Sequence, residues 1–177
     1  MVTKERYKQS RRDGGAAEKR YVWATGDARK ASRTEDIHSH IDFWHGEDGV
    51  DVKGNNFLDE IWVEFRNVNG DLGWLCGKAK WIAFEICEVG GFLRVEREEL
   101  YQWCLKNVDF SSSTSKEDAH KRIYQRSGRK DKITKLSIAD IFELKNNQLL
   151  PYRKWFINPA TQEKKDLEML SLLSSKL

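Results

Sequence analysis

Asp42, Asp51 and Lys53 fall within the stretch HIDFWHGEDGVDVKG (residues 40–54), two acids and a lysine around a turn-forming Gly-Glu-Asp. With His45–Asp48 as the loop of a hairpin, Trp44 faces Gly49, Phe43 faces Val50, and Asp42 faces Asp51. Facing positions carry Cβ atoms about 4.5–5.5 Å apart, and like charges there repel. Lys53, two residues after Asp51, leaves the strand on the same side, while Ile41, Phe43, Val50 and Val52 turn to the other. A hard divalent cation such as Mg²⁺ between the carboxylates would cancel the repulsion, because it prefers carboxylate oxygen and keeps several waters. Lys53 would then orient or deprotonate an attacking water, or stabilise charge developing on a phosphate. For one acid on a strand, a solvated face is the plainer explanation. Two facing acids with a lysine at plus two, backed by an apolar face and ended by Gly54, form a narrower pattern.

The elements around this hairpin follow from periodicity. Helix formers run from Lys4 to Ala24, most strongly over Ala16–Trp23, until Thr25-Gly26-Asp27 ends them. Ala28–Arg33 reads as a short strand or an extended link, and Ser32-Arg33-Thr34-Glu35-Asp36 has the character of a helix start. EIWVEFRNV (Glu60–Val68) alternates Ile61, Val63 and Phe65 against Trp62, Glu64 and Arg66, the two-residue period of a strand. Gly73–Lys80 reads as a loop or short helix, Trp81–Cys87 as a central strand, Phe92–Val95 as a strand, and Glu96–Lys106 as a helix with Leu100, Trp103 and Cys104 on one side. The serines at 111–115 predict a loop, Ser137–Asp140 a capping box opening a helix to about Asn146, and Lys164–Leu177 an amphipathic helix. The expected fold class is α/β with a mixed central sheet flanked by helices.

A chain of 177 residues, 39% hydrophobic, suits one domain with appendages. We expect a core over residues 1–110 and a basic, partly helical C-terminal extension over 111–177. No leading apolar run and no stretch of spanning length occur, so no membrane partner is expected. Three cysteines without CxxC spacing indicate neither a disulfide framework nor a zinc knuckle. Residues 111–135 carry eight Lys/Arg against three acids, a net of +5 in a chain of +3, which leaves the remainder at −2. Lys121, Arg122, Arg126, Arg129, Lys130 and Lys132 of this segment, with Tyr124 for stacking, suit phosphates and bases. Lys78, between Gly77 and Ala79, has room to touch a phosphate. Of the seven tryptophans, Trp44 and Trp74 are expected to be the exposed ones. His38, His40 and His45 would need the chain to fold back before serving as transition-metal ligands, so hydrogen bonding beside the acids suits them better.

HID followed after eight residues by DVK resembles the core of the PD-(D/E)xK nuclease superfamily, in which an Asp on one strand and a D/E-x-K on the next bind metal and hydrolyse phosphodiesters. GGAAEKRY (Gly14–Tyr21) is similar to the first helix of Holliday-junction-resolvase-like members, and EIWVEFRNVNGDLGWLCGKAKWIAF to uncharacterised phage members. The likeness covers residues 4–105 and implies a restriction-endonuclease-like core. It implies Asp42, Asp51 and Lys53 as catalytic residues, with Mg²⁺, or Mn²⁺ in its place, on Asp42, Asp51 and Glu18. Glu35 is an alternative to Glu18. Glu64-Phe65-Arg66 forms a second acid-x-base triplet, but Arg66 holds its proton too firmly to act as a base. Glu64 and Arg66 are therefore expected as supporting residues. The resemblance further implies DNA as partner, with a homodimer left open, and a phage enzyme working in the cytoplasm of a bacterial host. A non-catalytic nucleic-acid-binding or anti-defence protein on the same fold is the competing expectation, and a structural protein assembling through its terminal helix is a third.

Overall fold

The computed structural model describes residues 4–151, with side chains over 14–150. In chain order the elements are α1 (Lys4–Thr25), β1 (Arg29–Lys30), α2 (Arg33–Ser39), β2 (Phe43–His45), β3 (Asp48–Asn56), β4 (Ile61–Arg66), a 3-10 turn (Trp74–Cys76), β5 (Trp81–Ile86), β6 (Gly91–Glu96), α3 (Arg97–Asn107), β7 (Asp109–Thr114), β8 (Arg122–Tyr124), β9 (Lys132–Leu136), α4 (Ile138–Phe142) and β10 (Asn147–Pro151). They build an α/β structure with two mixed sheets, ordered β1-β2-β3-β5-β6-β10 and β4-β9-β8-β7. The amphipathic helix expected over Lys164–Leu177 lies outside the described residues. No described helix is long and apolar enough to cross a membrane.

The hairpin register is the one read from the sequence, Phe43 on Val50 and Trp44 on Gly49, with His45 on Asp48 added. The expected four-residue loop therefore closes to Gly46-Glu47, and Gly46 takes a positive φ of 57°, as the first central residue of a II′-type turn requires. From the hairpin the chain cannot turn directly into β5, because β5 runs parallel to β3, with Asp51 beside Ile82. A parallel pair needs a crossover, and here β4 and the 3-10 turn supply it.

The two faces of the first sheet have different covers. On one, Ala17 and Tyr21 of α1 pack on Phe43, Val50, Val52, Ala83 and Phe92. Tyr21 is fully buried and stands edge-on to Phe92 at 5.2 Å; burying such a side chain contributes about 1.5–3 kcal/mol. On the other face, Ile82, Phe84, Leu93 and Val95 meet Ile61, Val63 and Phe65 of β4, Leu100 and Cys104 of α3, and Ile138 and Ile141 of α4. Asp51 and Lys53 alternate with Val50 and Val52, so they point into this second layer.

Several expectations are corrected. Ile41 joins the second cluster and not the Phe43 side, because β2 begins only at Phe43, after His40 has taken a left-handed φ of 53°. The serine run is β7, an exposed strand paired in parallel with β8. The helix from Ser137 stops at Phe142, because Asn147–Pro151 pairs antiparallel with β6. Trp74 is 8% exposed, whereas Trp23 is 62% exposed. The segment after residue 110 is woven into the core: β9 pairs with β4 from Ile61–Leu136 to Arg66–Lys132.

Candidate functional site

Asp42, Asp51 and Lys53 meet on the β3 face that looks away from α1. Lys53 Nζ lies 2.7 Å from Asp51 Oδ1, and the Val52 N–H donates to Asp42 Oδ2 at 2.8 Å. The Asp42 side chain thus takes a ladder hydrogen bond that β2, starting one residue later, does not offer. Both acids are buried, Asp51 at 2% exposure and Asp42 at 8%. Asp51 Oδ2 is buried and takes no bond from an N–H or hydroxyl of the described residues; the Asp42 carboxyl, when protonated, hydrogen-bonds to Asp51.

Electrostatics ties the three together. Burial first, and then the charge of Asp51, pushes Asp42 up to about 7, against the pull of Lys53 and the Val52 N–H. Asp51 is raised by burial too, with Lys53 opposing. Burial alone would lower Lys53, but Asp51 and Asp42 outweigh it and hold the ammonium above its usual range. Lys53 is therefore a fixed cation, and its Nζ stands 5.1 Å over the Trp74 ring. Below about pH 7 Asp42 holds a proton and Lys53 balances Asp51; once Asp42 is ionised the pair carries one negative charge more than Lys53 balances. A hard divalent ion in place of the Asp42 proton fits that excess. Among the described residues no three or more His, Cys, Asp or Glu side chains group to enclose one, so Asp42 and Asp51 would hold it with water completing the shell.

Glu64 extends the cluster. It reaches toward Lys53 and Arg126, which lower its carboxyl, but burial dominates and raises it. Its position depends on Gly73: a Cβ there would meet the Glu64 backbone oxygen at 2.5 Å. His40 is the residue sequence reasoning undervalued. It caps α2 in the left-handed conformation, packs against Gly77, where a Cβ would lie 2.9 Å from its own, and its imidazole is shifted below the usual range by burial and then by Lys53. The only sequence sign of this was a histidine just before the acid. His38 is exposed, and His45 Nδ1 instead faces Asp27 Oδ1 at 3.3 Å, so the three histidines diverge.

Other expected residues lie elsewhere. Glu18, on the α1 side of the sheet, pairs with Lys30 and is not brought to Asp42 and Asp51. Glu35 closes a capping box, its Oε2 accepting from the Ser32 N–H at 2.7 Å. Arg66 donates to the Gly70 carbonyl at 2.7 Å and braces the turn after β4. Lys78 is exposed beside the end of α2, its N–H bonded to the Ser39 carbonyl. Within the basic segment, Lys121 is held by Asp140 at 2.6 Å and lies over Trp103, and Arg126 pairs with the fully buried Asp131. Arg122, Lys130 and Lys132 are exposed, and Arg129 is half-buried.

Compared with protein-family models, with curated proteins and with solved structures, the chain matches none.

Proposed function

We propose that this chain is a metal-dependent nuclease of the PD-(D/E)xK type, with a restriction-endonuclease-like core, hydrolysing phosphodiester bonds in DNA. The observation that carries the reading is the convergence of Asp42, Asp51 and Lys53 on one sheet face, two buried acids beside a single lysine. Mg²⁺, with Mn²⁺ able to substitute, would supply positive charge at the phosphate and acidify an attacking water. Asp42 and Asp51 would hold the ion, with the Val52 N–H aiming the Asp42 carboxylate. Lys53 would stabilise charge that builds on the phosphate, and the water's proton would pass to solvent. Arg122, Lys130 and Lys132 are exposed cations of the basic segment open to the DNA backbone. A phage origin, action in the bacterial cytoplasm and a homodimer belong to this proposal through the family resemblance alone.

The deciding experiment is cleavage of plasmid, single-stranded and branched DNA with Mg²⁺ or Mn²⁺, wild type beside Asp51→Ala. Cation-dependent cleavage lost in the variant is expected; equal products from both would reject the site. The depth of Asp51 and its direct pairing with Lys53 favour one second reading, a non-catalytic DNA-binding or anti-defence protein whose cluster is closed by the lysine alone. In that case Mg²⁺ would leave the melting temperature unchanged.

A further inference from the structure

The second sheet and the turn after β4 enclose a cleft of about 370 Å³, near the lower end of ligand-sized pockets, roughly 300–1,000 Å³. Its walls include Trp62 and Glu64 of β4, Trp74, Tyr124 at the end of β8, Arg126 just beyond it, and Lys116 from the loop between β7 and β8. Trp62 and Tyr124 have ring centroids 6.1 Å apart and are tilted by 51°, so they do not lie flat on each other and leave ring surface to the cleft. Trp62 is fixed by its Nε1 donating to Glu60 Oε1 at 2.7 Å, and Lys135 sits 5.8 Å over its ring. Asp131 orients the Arg126 guanidinium. Lys116 is exposed at the rim. Rings within and two cations at the side match a flat, uncharged group attached to phosphate.

The cleft also leads somewhere. Trp74, one of its walls, is the ring over which Lys53 stands, and Glu64, another wall, faces the same lysine. We propose that this cleft takes one unpaired base of a single-stranded polynucleotide, with the base on Trp62 and Tyr124 and its phosphates on Lys116 and Arg126. The strand would then run past Trp74 toward Asp42 and Asp51, and this last step rests on the nuclease reading. A duplex keeps its bases stacked inside and cannot offer one here. Stacking on aromatic side chains tolerates any sequence, because every base has a π-face.

Binding is measured by fluorescence anisotropy in EDTA, where metal-dependent cleavage cannot contribute. The probes are oligodeoxyuridylate, oligouridylate, an abasic strand of equal length and charge, and a duplex of equal length. Wild type is expected to bind the intact single strands more tightly than the abasic strand or the duplex. Equal binding of the DNA and RNA probes would mean a base site that ignores the 2′-hydroxyl; unequal binding would assign it to the tighter one. Trp62→Ala and Tyr124→Ala are each expected to weaken binding roughly ten-fold, the loss of one stacked base. Tyr124→Phe should bind as wild type does, and Lys116→Gln should weaken intact and abasic strands alike. Should an alanine variant fail to fold, Trp62→Phe and the abasic comparison on wild type decide. Equal affinity of wild type for intact and abasic strands, or tighter binding of duplex, would overturn the proposal. Base-dependent binding without any metal-dependent cleavage would reject the nuclease reading and leave the base site standing; Asp51-dependent cleavage with base-independent binding would do the reverse.

Discussion

Asp42 keeps its proton up to about pH 7 in the folded chain, whereas an unfolded aspartate releases it near pH 3.9. Between those values the folded state binds more protons at this group, so its contribution to stability is full below about pH 4 and is lost as pH rises through about 7. Asp51, also raised, acts in the same direction. The metal-free melting temperature should therefore drop between pH 5 and pH 8, and Asp42→Asn should flatten the profile and melt higher than wild type at pH 8. For a chain of this size each kcal/mol of relief appears as about 2–4 °C. A flat wild-type profile would contradict the picture of two uncompensated acids. A bound cation works the other way, since it competes with the proton. Titration calorimetry at pH 6 and pH 8 should find Mg²⁺ bound more tightly at the higher pH, with proton release at the lower. Asp42→Asn and Asp51→Asn should each abolish cleavage in a chain whose circular dichroism is unchanged.

Among the elements, α4 and the turn after β4 are the most exposed to single changes. Asp140 receives the Ser137 N–H at 2.7 Å, His120 Nε2 at 2.8 Å and Lys121 Nζ at 2.6 Å. Burial works to raise this carboxyl, but the bonds from Lys121, Ser137 and His120 prevail and hold it at about 2. Here the sign reverses: the stabilisation is present above about pH 4 and is lost as pH falls toward 2. Asp140→Ala removes the N3 half of the capping box that Ser137 opens and leaves Lys121 without its carboxylate, a loss of about 1–3 kcal/mol. The urea midpoint should fall accordingly at pH 7 and much less at pH 2. At the other element, Gly73→Ala would press a methyl group onto the Glu64 carbonyl. A loss of about 1–3 kcal/mol is expected from such overpacking, with the near-ultraviolet signal of Trp74 altered. Wild-type stability in that variant would mean the turn yields freely.

Among the described residues, Asp51 and Lys53 lie in the first sheet, whereas Arg122 and Lys132 are exposed on the second and Lys130 in the loop before β9. If Arg122, Lys130 and Lys132 touch the DNA backbone, each contact releases counterions, and log affinity falls against log salt by about 0.9 per contact on duplex or about 0.7 on single strands. Changing these three to Ala should flatten the slope by up to that amount for each residue and weaken binding across sequences. Equal slopes for wild type and variant would move the contact surface elsewhere. Arg126 is unsuited to this test, because its removal would leave Asp131, fully buried, without its partner.

The sequence alone determined the hairpin register from Phe43–Val50 to the turn and the side of β3 taken by Asp51 and Lys53, because Gly46 and the two-residue alternation of apolar side chains are local signals; the expected pairing of Asp42 with Asp51 is not in that register, since Asp42 precedes β2 and reaches the β3 face from outside the ladder. Through local signals too, β4, β5, β6, α3 and the cap of α2 were legible. The serine strand β7 was not: five of its six residues are exposed and the sixth half-buried, so it has no apolar period, and it is held by backbone pairing with β8. Nor did local pattern reveal that Leu136 returns to pair with Ile61 or that Asn147–Pro151 would leave a helix to pair with β6. These pairings join residues far apart in the chain, and their hydrogen bonds are between main-chain groups that every residue carries. The fate of the basic run was likewise decided in three dimensions. Asp131 and Asp140, once buried, need cations, and they take Arg126 and Lys121 from a set that looked uniformly free. The same packing turned Trp74 inward under Lys53 and brought Glu64 and His40 to the acid pair, because the crossover demanded by the parallel β3–β5 pairing carries β4 and its following turn across that face.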